Sequence, residues 1–176
     1  MISDKACGLV NVLGDFFANV PWQRCMVHFY RNVFSVAPKN QIREVAAMLK
    51  AIHGQEDHEA ALEKSKQVVG KLRAMKLRKA AEKVETDIAE TLAYMQFPRE
   101  HWLRIRTTNM LERLLREVRR RTRVVGNFPD GNSAVMLVAA RLRHVSSTKW
   151  GTHAYLDMGR LRQGKEAELA MTAECQ

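Results

Sequence analysis

The sequence predicts a mainly α chain with a small α/β remnant at its N-terminal end, on three observations. Most apolar residues recur at the three- and four-residue spacing of a helix face. The stretch 40–94 is rich in Ala, Lys, Glu and Leu and offers no strand. Only two short apolar runs, at Met1-Ile2-Ser3-Asp4 and around Cys25-Met26-Val27, read as strands.

Taken in order, Met1-Ile2-Ser3-Asp4 reads as the end of a buried strand that closes on a carboxylate, an abrupt start for a sheet. Leu9, Val12, Leu13, Phe16 and Phe17 then predict a helix over 8–18, stopped by Asn19 and Pro21. A strand is expected over 22–28 and a helix over 29–36, before Pro38. Three apolar stripes follow, each fitting one helix. Ile42, Val45, Ala46, Leu49 and Ile52 form the first; Leu62, Val68, Val69, Leu72 and Met75 the second; Ala81, Val84, Ile88, Leu92 and Met95 the third. Breaks are expected at His53-Gly54 and across 77–79. The alternating charges of this block read most simply as a solvated outer face.

Phe97-Pro98 closes the block, and residues 102–109 lead into the strongest helix of the sequence. Met110, Leu111, Leu114, Leu115 and Val118 are expected to be buried. The opposite side carries Arg113, Arg116, Arg119, Arg120, Arg121 and Arg123. After a turn at 126–131, a mostly apolar helix over 133–145 is expected in the core, and the tail beyond Trp150 regains periodicity only from Lys165, with its last residues expected to fray.

A chain of 176 residues with 46% hydrophobic residues can bury a real core. The net charge of +10 and a pI near 9.9 point to an anionic partner, nucleic acid first among the candidates. Three widely spaced cysteines, Cys7, Cys25 and Cys175, do not form a disulfide framework and fit a reducing compartment. No apolar run is long enough to span a bilayer, and no basic-then-apolar leader is present. The expectation is a cytoplasmic protein with no membrane partner and no small-molecule substrate.

Two constellations could carry chemistry. Glu112 stands three residues after Asn109, so it reads either as the carboxylate of a capping box or as a ligand for a divalent cation. In the second reading Arg116, Arg119 and Arg123, on its side of the helix, grip phosphates. Metal-assisted phosphoryl transfer needs hard oxygen donors beside a polyanion, and Asp4 with Glu112 would supply them if the fold brings them together. The arginine run reads either as a solvated face or as a DNA-backbone contact; arginine rather than lysine favours the latter, because its planar fork meets phosphate bidentately. Cys25-Met26-Val27-His28 has half the spacing of a zinc site but lacks a second pair, so Cys25 is expected to pack as a small apolar residue. His28, with Arg24 and Arg31 beside it, is expected to face phosphate.

Read together, these strings resemble one family. Ser3-Asp4 with Gly8-Leu9, Gln23-Arg24-Cys25-Met26-Val27-His28 with Arg31-Asn32, and Pro38-Lys39 are similar to the central signature of mutator-type transposases of bacterial insertion sequences. Arg106-Thr107-Thr108-Asn109 through Glu112, then Arg119-Arg120-Arg121-Thr122 and Phe128-Pro129, resemble that family's second signature. The resemblance runs from Ile2 to about Trp150.

It implies an RNase H-like catalytic domain with an all-helical insertion, in which an Asp, Asp, Glu triad holds two Mg²⁺ (or Mn²⁺) ions for DNA strand cleavage and joining. Asp4 matches the second aspartate and Glu112 the glutamate; Cys25 and His28 match the family's Cys-x-x-His element. The implied segments are 1–38 and 98–150 for the RNase H-like core, 39–97 for the insertion and 151–176 for a tail. The DNA-binding set is Arg24, His28, Arg31, Arg116, Arg119, Arg120, Arg121 and Arg123. The first aspartate belongs on a strand upstream of Asp4. A truncated domain is therefore expected, with an open sheet edge and an unburied face, inactive by itself. The partners implied are transposon-end and target DNA and either a second copy or an intact transposase. The alternative is a non-catalytic basic module that binds DNA or inhibits intact transposase.

Overall fold

The computed structural model describes residues 1–17 and 20–159. Asn19, expected to stop the first helix, and the periodicity expected from Lys165 lie outside the described residues. Packing divides the chain into two units, 1–107 and, among the described residues, 108–159.

The first unit opens on β1 (Ile2–Ser3), α1 (Cys7–Phe16) and β2 (Gln23–Arg24). The strands pair in parallel, Ile2 with Gln23 and Ser3 with Arg24. Parallel neighbours need a crossover, and α1 supplies it. The expected strand over 22–28 is therefore shorter than its apolar pattern. Gln23 N donates to Met1 O and Cys25 N to Ser3 O, both at 2.7 Å, and the ladder ends there. Cys25 becomes the N-cap of α2 (Met26–Phe34), so Met26 and Val27 are helical, not extended. Three apolar residues in a row fit either state; pairing partners decide between them.

The main core lies between α2, α3 (Ile42–His53), α4 (His58–Ala74) and α5 (Arg78–Asp87). Phe29 and Val33 from α2 meet Val45, Leu49 and Ile52 from α3, Val68 and Leu72 from α4 and Ala81 and Val84 from α5. These are largely the residues the three stripes select, with α2 added as a fourth wall. Asp57 caps α4 by accepting from Ala60 N at 2.8 Å. Single 3₁₀ turns at Lys39–Gln41, Ala89–Thr91 and Ala93–Gln96 carry the chain around this core. The third stripe is therefore helical only to Asp87; Ile88, Leu92 and Met95 reach the core from tighter turns. A short helix α6 (Arg99–Ile105), left unassigned by the sequence pattern, follows Pro98, and Trp102 and Ile105 pack on the core.

A polar layer ties the strands to the helices. Gln23, 5% exposed, donates to Thr91 O at 2.8 Å and accepts from Tyr94 N at 2.8 Å. His53 reaches the Tyr30 hydroxyl (3.0 Å), Leu49 O (3.1 Å) and Thr91 Oγ1 (2.9 Å). The side chains of Gln23, His53 and Thr91 thus answer one another or the backbone, which is what makes their desolvation tolerable.

The second unit contains α7 (Asn109–Val125), α8 (Gly131–Ser146) and the single turn α9 (Lys149–Thr152). Gly126 ends α7 at φ 75°, a left-handed conformation that glycine adopts without a Cβ clash. Asp130 caps α8 by accepting from Ser133 N at 2.6 Å, and this bond holds its carboxyl below the usual range. Both helices were expected to bury their apolar sides, and they do not. No residue of α7 is buried, Leu111 and Leu115 are exposed, and on α8 only Val145 is buried, with Met136 at 72% exposure. Two helices give each other one narrow seam, so within this unit a wide apolar stripe has nothing further to pack on.

Candidate nucleic-acid and carboxylate site

The expected site residues fall in both units. Asp4 follows directly on β1, at the C-terminal end of a parallel strand, and is exposed. Its neighbours are fixed on both sides. Ser3 is paired with Arg24 in the ladder and its Oγ accepts from Trp22 Nε1 at 2.8 Å. Lys5 Nζ lies 3.0 Å from Asp87 Oδ1 and 2.7 Å from Glu90 Oε1. The bond to Glu90, together with Asp87, keeps the Lys5 ammonium protonated beyond its ordinary range.

Arg24, expected to face phosphate, is instead 3% exposed. Its Nη1 lies 2.7 Å from Asp87 Oδ2 and 3.2 Å from Glu90 Oε2, and its guanidinium stands 5.5 Å from the Phe29 ring centre. The same two carboxylates thus hold Arg24 and Lys5. An arginine in that position is neutralised by protein oxygens and has no open face for a nucleic acid. Arg31 on α2 is exposed, and His28 on the first turn of α2 is half-buried. Cys25 is fully buried, as expected of a small apolar packing residue. Its amide anchors the start of α2 on Ser3 O, and Met26 N adds a 3.0 Å bond to Arg106 O. Among the described residues, no three His, Cys, Asp or Glu side chains converge as a metal-binding group.

In the second unit, Thr108 and not Asn109 occupies the N-cap of α7. The capping box expected of Asn109 and Glu112 is not formed: no side chain caps the helix, and the Thr108 hydroxyl instead donates to Glu112 Oε1 at 3.1 Å. Glu112 stays on the first turn, half-buried. Because α7 is continuous, Glu112, Arg116, Arg119 and Arg123 recur along one face.

The arginines divide into two groups that the sequence does not separate. Glu117 receives Arg120 through two bonds, at 3.0 and 2.9 Å, lies 3.5 Å from Arg121 Nε, and also pairs with Arg141 of α8. The Arg120 hydrogen bonds, with the charges of Arg120 and Arg141, hold the Glu117 carboxyl down at about 2. Arg113 lies over Trp150, 4.8 Å from the ring centre. Arg116, Arg119 and Arg123 are exposed and make no ion pair among the described residues. They are the part of the run that is open to an external anion.

Sequence reasoning missed Gln23, Asp87, Glu90 and Glu117 as organisers of these surfaces. Only Glu117 had a readable signal, its spacing of three and four residues from Arg120 and Arg121.

A family model for transposases of the mutator family matches residues 1–151. The chain belongs to this family. Its first-unit strands and the arginine helix both fall inside the match. It is 32% identical over 173 residues to the transposase for insertion sequence element ISRM5 of Rhizobium meliloti, covering 98% of this chain and 43% of the relative. It is 39% identical over 140 residues to the IS1081 transposase of Mycobacterium tuberculosis, covering 80% of this chain and 34% of the relative. It is 38% identical over 153 residues to the IS406 transposase of Burkholderia multivorans, covering 86% and 39% respectively. The chain thus spans less than half the length of each of these three transposases. No helix among the described residues is long and apolar enough to cross a membrane.

Proposed function

We propose that this mutator-family chain acts in Mg²⁺-dependent DNA strand cleavage and joining for an insertion sequence, with Asp4 and Glu112 as metal-holding carboxylates of an RNase H-like catalytic domain. The family match over both signatures carries the reading. In it, 1–38 and 98–150 belong to the catalytic core, 39–97 is an inserted helical block and 151–176 is a tail.

The donor chemistry fits the ion. Asp4 is an exposed carboxylate at the carboxyl end of a parallel strand, the end at which open α/β sheets place ligands. Glu112 offers a second hard oxygen donor on a first helical turn, where the macrodipole favours negative charge. When bound, such ions activate the attacking oxygen and stabilise the leaving one. The chain's own residues do the rest. The Asp87–Glu90 pair holds Lys5 on one side of Asp4, and the strand ladder holds Ser3 on the other. Arg116, Arg119 and Arg123, with Arg31 and His28, bind phosphate oxygens and set the position of the strand without reading its sequence.

The test is nicking of plasmid DNA that carries the element's terminal repeats, with Mg²⁺ and with chelator. Asp4→Asn and Glu112→Gln are made here and at the aligned positions of a full-length relative. In the relative each substitution should cost at least about 10³-fold in rate, the scale on which catalytic-residue losses run, with DNA affinity kept. Undiminished cleavage by either variant would remove that residue from the metal site. Binding by this chain that needs no Mg²⁺ and supports no cleavage would favour the module reading over the enzyme.

A further inference from the structure

Between Glu63 and Glu82 the sequence carries seven lysines and arginines and no acid. The structure gathers five of them at one corner. Lys71 and Arg73 lie on the last turn of α4, Lys76 in the link, and Arg78 and Lys79 on the first turn of α5. All five are exposed. Arg73 is held by Glu85 at 2.6 Å; the other four make no ion pair among the described residues.

A solvated helix face would not be built this way. The acids of α4 sit toward its start and its cations toward its end, an order the helix dipole favours. At α5 the order reverses. Its first turn has no acid and two cations, set against the positive end of the dipole and next to the cations of α4. The backbone adds a second anomaly. Leu77 N donates to Leu72 O at 2.9 Å and Lys76 N to Arg73 O at 3.0 Å, a Schellman closure whose left-handed position is normally glycine. Lys76 occupies it at φ 62°. A cation is thus kept at a place where both charge and backbone disfavour it.

We infer that the α4–α5 corner of the first unit is a DNA-backbone contact in addition to the α7 arginines of the second unit. This rests on the proposed function only in taking DNA as the anion. A phosphate backbone removes the mutual repulsion of the four cations that no carboxylate answers and releases its own counterions in exchange. The contact gives affinity and register and carries no base reading.

The experiment is anisotropy of the 176-residue chain on a labelled duplex of arbitrary sequence over a range of salt. Three variants are compared: Lys71→Gln/Lys76→Gln/Arg78→Gln/Lys79→Gln, Arg116→Gln/Arg119→Gln/Arg123→Gln, and Lys76→Gly alone. The corner variant should flatten the plot of log affinity against log salt by about two to four units, at about 0.9 per phosphate contact. The α7 variant should lower the slope independently. Lys76→Gly should raise Tm by about 2–4 °C and still weaken DNA binding several-fold. An unchanged slope for the corner variant, with its helical circular dichroism intact, overturns the inference while leaving the α7 reading in place. Loss of slope on the corner alone upholds the inference and removes the α7 contact. A chain that binds no DNA overturns both.

Discussion

The Arg24 guanidinium and the Asp87 carboxylate meet at 2.7 Å with 3% and 15% of their side chains exposed, joining the strand pair to the end of α5. Burial pushes the Asp87 carboxyl up, but the bonds from Arg24 and Lys5 outweigh it and hold the group below its ordinary value. Glu90 completes the arrangement at 3.2 Å from Arg24 and 2.7 Å from Lys5. Two cations from the β1–β2 region are thus answered by two carboxylates from the helical block.

Without Arg24, the partly exposed Lys5 is left to answer both carboxylates. Arg24→Ala leaves two partly buried carboxylates side by side and should destabilise the first unit by about 3 kcal/mol, the scale for breaking a buried pair from one side. Urea denaturation monitored by tryptophan fluorescence measures it. A loss no larger than that of an exposed arginine such as Arg43 would mean the pair is solvated after all. Because the folded-state pKa of Asp87 is depressed, its contribution is fully present above the ordinary carboxylate range and is lost as pH falls through the folded value.

A second pH dependence comes from His53. Burial lowers its pKa from 6.5 to about 4, against the opposing bond to Leu49 O and with help from the charge of Arg106. The unfolded chain then takes up a proton between pH 6.5 and about 4 that the folded one does not. Stability is therefore unaffected by this group above pH 6.5 and falls below it, by about 3 kcal/mol by pH 4, at 1.36 kcal/mol per unit. His53→Gln should flatten stability over that window. An identical pH profile in the variant would mean that other groups set the acid limb.

The helices α3, α4 and α5 were legible because each buries one continuous stripe, and Leu49, Leu72 and Val84 sit where the spacing puts them. So was the strand ending before Asp4. Less legible was everything decided by a partner distant in the chain. Cys25-Met26-Val27 looks extended until the Cys25 amide is seen to close the ladder on Ser3. Arg24 looks like a phosphate ligand until Asp87 and Glu90 are placed beside it. The charge of a residue is in the sequence; whether that charge is already answered is not.

The second unit shows the same limit for apolar residues. Periodicity predicts that Leu111 and Leu115 face an apolar surface, but it does not say which one. Within this unit both are exposed, as are Val135 and Met136. Met136→Gln should therefore change stability by less than about 0.5 kcal/mol, as surface substitutions do. Val145→Ala removes a buried side chain and should cost roughly 1 kcal/mol or more. Thermal denaturation compares them, and a larger loss at Met136 than at Val145 would reverse the assignment of inner and outer faces.

Glu117 offers the sharpest test of how the arginine run is divided. It occupies Arg120 and Arg141 by hydrogen bonds and Arg121 by charge, so three cations of this unit are answered by one carboxylate. Its pKa near 2 means that no physiological pH releases them. Glu117→Gln removes the negative charge and frees these side chains, so affinity for duplex DNA should rise and its salt dependence should steepen by roughly one to two contacts, at about 0.9 in slope each. Arg119→Ala should do the opposite, lowering the slope by about one. The two effects should add, because Arg119 does not share Glu117 as a partner. If Glu117→Gln weakens binding instead, the carboxylate serves to orient Arg120 and Arg141 toward phosphate, and the arginines it holds belong to the binding face along with Arg116, Arg119 and Arg123.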